Sequence, residues 1–376
     1  MKVGLMLPNS DMFPALSLQF VNGFKMGIAD DTINHIKIDL VIEKLGQAAD
    51  DSVLNIVEKN LLQEHLDIVF SFCGNAVLEK LTKRFTAFKK PLVHLDLGGN
   101  LVRKSQGSPF VLHHHLGICF SAYSAGYRAA RKWGGNALVA TSFYDGGYDI
   151  HKSFEKGFKD GGGSDVWYYV SPNDYKNHSL DPLFELIDNN KPSVLFALYS
   201  YKEGHRFLSE FNDSKINGSL PIVTTPFITN QNYMHDDINE EVSSIASWSF
   251  NDRTSEMTKW KKAYSDHYND EPSPFSLLGF ESAQILKKSI GSNGTPVSEI
   301  GSHFITEAIN SPRGKLRYNC YHEVFSSQPE WNKIRIDEAE NHEAVPSDLM
   351  TMDTEKLNEY FENQPISGWN NPYICT

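Results

Sequence analysis

Three consecutive histidines, His113-His114-His115, are the densest run of metal-capable side chains in the sequence. On a strand, His113 and His115 share a face while His114 points away. A zinc site needs further ligands, and no C-x-x-C or H-E-x-x-H spacing signals them. Cys73, Cys119, Cys320 and Cys375 are scattered, so buried thiols or one long-range disulfide both stay open. No nucleophile elbow or paired-carboxylate motif builds a reaction centre. The chain is therefore read as a non-enzyme with no metal. Cofactor chemistry is excluded on similar grounds. Lys2–Pro8 reads as a buried first strand, followed by the turn Asn9-Ser10-Asp11 and a helix-like run from Pro14 to Asp30. The G-x-G-x-x-G that grips a pyrophosphate after such a strand is absent, and so is the lysine-bearing P-loop. The first strand–helix corner thus points to a small ligand and to no cofactor.

With 376 residues the chain is long enough for two α/β lobes. Its 35 basic and 47 acidic side chains leave a net charge of −12, which argues against a nucleic-acid partner. No transmembrane run and no leader-like apolar run is visible. Two locations are expected: the periplasm, where an export signal has been removed, or the cytoplasm.

Strand and helix patterns alternate throughout. Strands are expected at Ile36–Glu43, Asp67–Phe72 and Pro91–Leu97, with helices at Asp50–Glu64 and Ala76–Phe88. The pattern restarts with a helix at Cys119–Trp133 and strands at Asn136–Ser142, Val166–Val170, Pro192–Leu198 and Leu220–Thr225. Helices are expected at Asp149–Phe158, Leu180–Asn189 and His205–Phe211, a crossing strand at Ser244–Phe250, and late helices at Ser255–Tyr268, Phe280–Ser289 and Ser302–Ile309. Apolar strands bounded by helices imply parallel sheets buried on both faces.

Several of these segments carry a family resemblance. They are Lys2–Pro8, Asn22-Gly23-Phe24, the Asp67–Phe72 and Pro91-Leu92-Val93 strands, Tyr144 to Tyr148 with Phe154 and Phe158, and Pro192–Leu198 with Tyr201. Gly279-Phe280-Glu281-Ser282-Ala283 and Ser311-Pro312-Arg313-Gly314-Lys315 complete the set, which runs up to about the Ile336 strand. In order and spacing they resemble the type I periplasmic binding fold, in its branched-chain amino-acid-type branch of ABC-transporter solute-binding proteins. The resemblance implies an α/β clamshell: two Rossmann-like lobes with parallel sheets joined by a three-crossing hinge. The lobes are expected at residues 1–116 with 251–318 and at 117–250 with 319–346, leaving 347–376 as an appended tail.

In open α/β sheets a ligand sits beyond the carboxyl ends of the strands. That rule and the resemblance select the ligand-binding candidates. Ser10 and Phe13 occupy the first loop, where Phe13 either covers a ligand or staples its own helix. Ser71, Cys73, Gly74 and Asn75 form the loop that grips the ligand carboxylate in the family. A helix N-terminus there offers unpaired N–H groups, while Asn75 is equally a cap. Asp96, Gly98 and Asn100 follow the next strand, and His115 enters the hinge. In the second lobe Tyr144, Tyr148, Tyr201 and Phe227 fall on the corresponding loops. The family's acid for a ligand ammonium is missing near Phe227. Glu281 either replaces it or serves its own helix N-terminus.

The resemblance implies a solute-binding protein that captures a small polar ligand for an ABC transporter permease. The alternatives are a cytoplasmic ligand-sensing or regulatory module on the same fold and, less favoured, an amide hydrolase-type enzyme.

Overall fold

The computed structural model describes residues 1–29, 36–49, 51–173, 179–216, 218–229, 242–248, 254–326, 330–334, 341–343, 352–366 and 368–375. It divides into two compact units. Unit 1 comprises Met1–Gly117, Arg253–Ser327 and Asp353–Thr376; unit 2 comprises Ile118–Asp252 and Gln328–Met352. No described helix is long and apolar enough to cross a membrane.

Unit 1 opens with β1 (Lys2–Leu7), α1 (Leu16–Ile28), β2 (Asp39–Lys44), α2 (Ser52–Gln63), β3 (Ile68–Phe72), α3 (Asn75–Phe88), β4 (Leu92–Asp96) and β5 (Val111–His115). The sheet order is β2-β1-β3-β4-β5, with every pair parallel. Every residue of β3, β4 and β5 is buried, as expected for parallel strands covered on both faces. At the edge, β2 has only exposed and half-buried positions and begins three residues later than its apolar pattern suggests.

Unit 2 contains α4 (Ile118–Trp133), β6 (Ala137–Thr141), α5 (Ile150–Asp160), β7 (Val166–Val170), α6 (Asp181–Asn190), β8 (Val194–Leu198), α7 (Tyr201–Asn212), β9 (Ile222–Thr224), α8 (Pro226–Thr229) and β10 (Val242–Ala246). Their sheet runs β10-β9-β8-β6-β7, all parallel. The chain later adds two antiparallel strands at the β10 edge, numbered β14 (Glu330–Ile334) and β15 (Asn341–Glu343). The expected strand at Ser244–Phe250 is β10, shifted toward the N-terminus. Residues 249–250, and the strand expected near Ile336, lie outside the described residues.

Between these pieces the chain rebuilds unit 1 with α9 (Ser255–Tyr268), α10 (Pro274–Ser289), α11 (Ile300–Thr306), β11 (Ile309–Ser311), β12 (Gly314–Tyr318) and β13 (Val324–Ser326). The last three form an antiparallel sheet, so residues 319–326 turn a hairpin within unit 1. After Asp353, α12 (Thr354–Glu362) and the last residues also belong to unit 1.

Helix α10 starts six residues before its expected Phe280. Ser273 and Ser276 cap each other, Ser276 N–H to Ser273 Oγ at 3.2 Å and Ser273 N–H to Ser276 Oγ at 2.7 Å. Pro274 occupies the first turn, where its missing N–H costs nothing. The early start lays α10 along α1 through two glycines. A Cβ on Gly23 would lie 1.9 Å from the Ser276 carbonyl oxygen, and one on Gly279 would lie 2.1 Å from that of Phe20. Each helix therefore presents a bare Cα to the other's backbone. In unit 2, α4 and α5 meet the same way through Gly126 and Gly157.

Because the obstructing atoms are backbone, Gly279→Val should destabilise unit 1 by about 3 kcal/mol or more through overpacking. Urea unfolding checks this. An unchanged midpoint would show that the two helices can part without loss.

Candidate functional site

The histidines of β5 are held inside unit 1. His114 Nε2 lies 3.0 Å from Glu281 Oε2, and its Nδ1 lies 3.0 Å from the Tyr318 hydroxyl. Glu281 also accepts from Arg313, from Nε at 2.6 Å and Nη2 at 3.0 Å, and from the Ser311 hydroxyl. Arg313 Nη2 reaches the His115 carbonyl at 3.0 Å. Burial pushes the Glu281 carboxyl up, but Arg313 and His114 outweigh it and hold the group at about 2. Burial pushes His114 down. The neutral ring thus donates from Nε2 to Glu281 and accepts at Nδ1 from Tyr318. Glu281 is fully buried and committed to this pairing, which takes the place of the ligand-charge role considered for it.

His115 Nε2 lies 2.9 Å from Glu323 Oε1, and Nδ1 accepts the Gly117 N–H at 2.9 Å. Two partners in its own unit therefore occupy the imidazole. His113 faces His94, Nδ1 to Nδ1 at 3.3 Å. His94 donates from Nε2 to the Cys73 carbonyl at 3.1 Å, which leaves its Nδ1 as the acceptor. Burial drives His94 down to about 4 and keeps it neutral. Among the described residues, no group of three or more His, Cys, Asp or Glu is arranged to hold a metal ion.

The unit 1 candidates lie at the carboxyl ends of β1, β3 and β4, and three of them meet one segment of chain. Ser10 Oγ accepts the Phe13 N–H at 3.0 Å and donates to the Ile374 carbonyl at 2.6 Å. Asp96 Oδ1 accepts the Tyr373 N–H at 3.2 Å. A Cβ on Gly74 would lie 1.5 Å from the Asn370 carbonyl oxygen. The last residues of the chain thus lie across the loops selected as ligand-binding. Tyr373, Ile374 and Cys375 are fully buried. Asn371 Nδ2 braces the segment with a 2.7 Å bond to the Cys375 carbonyl. Ile374 sits at φ +69°, a left-handed conformation that costs a β-branched residue about 1–2 kcal/mol.

The remaining unit 1 candidates divide between packing and unmet polarity. Phe13 packs edge-on against Phe275 at 5.5 Å, and Ser71 Oγ donates to the Phe72 carbonyl at 3.1 Å. Gly98 turns the chain at φ +88°. Burial and then Asp96 push the Cys73 thiol up, which makes it a poor nucleophile. Burial raises the Asp96 carboxyl to about 6, against the pull of the Leu97, Gly98 and Tyr373 N–H groups and of His115. Asn75, the first residue of α3, has its side-chain nitrogen buried without a hydrogen-bond partner among the described residues, and so does the Asn100 side-chain oxygen. These two amides are unspent polar groups on the loops after β3 and β4. Helix α12 fixes the adjoining loop: Glu362 accepts the Lys104 N–H at 2.8 Å, and Asn358 Nδ2 reaches the Val102 carbonyl at 3.0 Å.

In unit 2, Tyr148 is buried and donates from its hydroxyl to Tyr144 at 2.9 Å. Tyr201 opens α7 at φ +52°. Phe227 is buried against Trp248, with ring centroids 6.2 Å apart. Sequence reasoning passed over the polar cluster among them. Asp145 bridges two strand ends, accepting from Ser142 Oγ at 2.7 Å and Ser200 Oγ at 2.6 Å. Glu203 stands in its field: burial, then Asp145, raise its carboxyl to about 7, with Ser142 opposing. Near neutrality Glu203 can both give and take a hydrogen bond.

A family model for periplasmic binding proteins matches residues 1–300. The chain belongs to the periplasmic binding protein family. Solved structures share its fold at low identity. A solute-binding protein of an ABC transporter from Rhodopseudomonas palustris BisB5, in complex with 3,4-dihydroxybenzoic acid, is 18% identical with a TM-score of 0.73 over 92% of this chain and 96% of that one. An ABC transporter substrate-binding protein from Sphaerobacter thermophilus is 15% identical with a TM-score of 0.77 over 92% and 97%. A leucine-binding protein from Thermotoga maritima is 14% identical with a TM-score of 0.67 over 93% and 99%. No curated protein matches the chain by sequence. The periplasmic binding protein match takes in Ser10, Gly74, Asn75, Asp96 and Glu281, whereas α12 and residues 368–375 lie beyond it.

The buried Glu281 pairing sets two expectations. Arg313→Met should cost about 3–5 kcal/mol, because it strands a buried carboxylate. Since the Glu281 pKa is depressed from 4.5 to about 2, its contribution is present above pH 4.5 and lost as pH falls toward 2. This loss is on the order of 3 kcal/mol. A pH series of urea midpoints checks it: the fall across that window should shrink in Glu281→Gln, and parallel curves would show that the carboxyl is not depressed.

Proposed function

We propose that the protein is a solute-binding protein that captures a small polar ligand, amino-acid-like or a small carboxylate or amide, for an ABC importer. The observation that carries this reading is the corner at the start of α3. There the buried Asn75 nitrogen lacks a partner among the described residues, and the helix contributes its own N–H groups and dipole; on the loop after β4 the buried Asn100 oxygen is likewise without one. A buried donor left unspent at a helix N-terminus favours a ligand that brings an acceptor such as a carboxylate. The ligands named for the structural relatives, a dihydroxybenzoic acid and leucine, are small carboxylates of that kind. In unit 2, Tyr144, Tyr201 and the Asp145–Glu203 cluster are the polar groups at the strand ends that we assign to ligand binding by that unit. Capture by hinge closure is the mode this family assignment implies, and the periplasm is the compartment.

A second reading is favoured by one observation. The C-terminal segment lies on the same loops, which suits a ligand-sensing module in which a ligand and a chain segment compete.

A thermal-shift panel of benzoate, 3,4-dihydroxybenzoate, leucine and small amides tests the proposal. Saturation at 100 times Kd should stabilise the protein by about 2.7 kcal/mol. Asn75→Ala should abolish the shift while leaving the ligand-free midpoint nearly unchanged. A flat panel, or a shift that survives Asn75→Ala, would remove the solute-binding assignment from this corner.

A further inference from the structure

The loops that would hold a solute in unit 1 already hold a peptide. Residues 370–375 touch all three: Ile374 at Ser10, Asn370 at Gly74 and Tyr373 at Asp96. The contacts are made to the segment's backbone, two carbonyl oxygens and one N–H. The face of Gly74 is occupied by Asn370 main chain where any other residue would carry a Cβ. Tyr373, Ile374 and Cys375 are as buried as the centre of the sheet, and Ile374 is held in a left-handed conformation. A segment resting loosely on a surface would relax out of that conformation. Meanwhile the buried Asn75 nitrogen beside it has no partner among the described residues. The segment therefore fills the corner without using its polar groups fully.

We propose that this corner is a peptide-binding site whose resident occupant is the chain's own C-terminal segment, residues 370–375, and that a small solute reaches Gly74, Asn75 and Asp96 only in exchange for that segment. The proposal rests on reading the corner as the ligand site. It adds that the protein exists in two exclusive states, tail-bound and solute-bound. Binding of a solute then carries a signal, because it releases a stretch of chain containing Trp369, Tyr373 and Cys375.

The buried Cys375 thiol reports the state of the tail in the folded protein. Of the four cysteines, Cys320 is exposed and Cys73, Cys119 and Cys375 are buried. With a maleimide, read by peptide mass spectrometry, Cys375 should label roughly 100-fold or more slowly than Cys320, as expected of a group reached only by local opening. Any solute that raises the melting temperature should bring Cys375 labelling to within a few-fold of Cys320. Equal labelling of the two thiols in the solute-free protein overturns the proposal. A solute that shifts the melting temperature but leaves Cys375 protected also overturns it, while leaving the solute-binding function standing.

A second measurement needs no solute. Tyr373→Asp puts a carboxylate at a fully buried position of the tail and should evict it. A fluorescent peptide of residues 368–376, with Cys375→Ser, should then bind this variant. It should fail to bind the parent chain, whose tethered tail competes at millimolar effective concentration. If circular dichroism shows the variant folded and the peptide does not bind, the corner is no peptide site. If the peptide binds and every solute fails, the corner is a peptide site, and the exchange with a solute falls together with the importer function.

Discussion

Unit 1 depends on the meeting of two bare Cα atoms, Gly23 on α1 and Gly279 on α10. These helices lie some 250 residues apart in the chain, and all of unit 2 except its last two strands is inserted between them. Only where neither helix carries a side chain can their backbones approach this closely. Two residues beyond Gly279, the same helix supplies Glu281, which gathers His114, Ser311 and Arg313. One helix contact thus sets the height at which a buried carboxylate meets β5 and the β11–β12 turn. Displacing α10 would strand charged groups whose desolvation has already been met by pairing.

That arrangement gives the histidine run its meaning. Three imidazoles in a row invite a metal, yet each pairs with a nearer partner, Glu281, Glu323 or His94, and His113 keeps a buried Nε2 without a partner among the described residues. The polar interior of unit 1 is a stiff mount for the strand ends. The loops that leave it, after β3 and β4, inherit fixed positions. The C-terminal segment and α12 then bear on those loops from beyond residues 1–300, the stretch that the family model matches.

Much of this architecture was legible in the residues. The apolar runs of β3, β4 and β6, the helices after β3 and β6, and the loop at Gly74-Asn75 all follow from period, turn residues and the strand-end rule. What escaped was non-local. Nothing near Glu281 announces Arg313, 32 positions on, as its partner. Asp145 and Ser200 come from the ends of different strands, so their meeting is a product of sheet order, not of spacing. The start of α10 could have been read from Ser273-Pro274, a cap followed by a first-turn proline. The tail held a signal too, because Trp369, Tyr373 and Ile374 make an apolar end for an acidic chain, and such residues seek burial.

Gly74 and Gly23 both exclude a side chain, but they answer to different parts of the molecule. Gly23 faces a helix of the shared fold, so any relative that keeps α10 inherits the demand for glycine. Gly74 faces Asn370, in the segment beyond the family match. A descendant that shed its last few residues would be released from glycine at position 74 while remaining bound to it at 23. The two positions should therefore drift separately among relatives, the first in step with the presence of the tail.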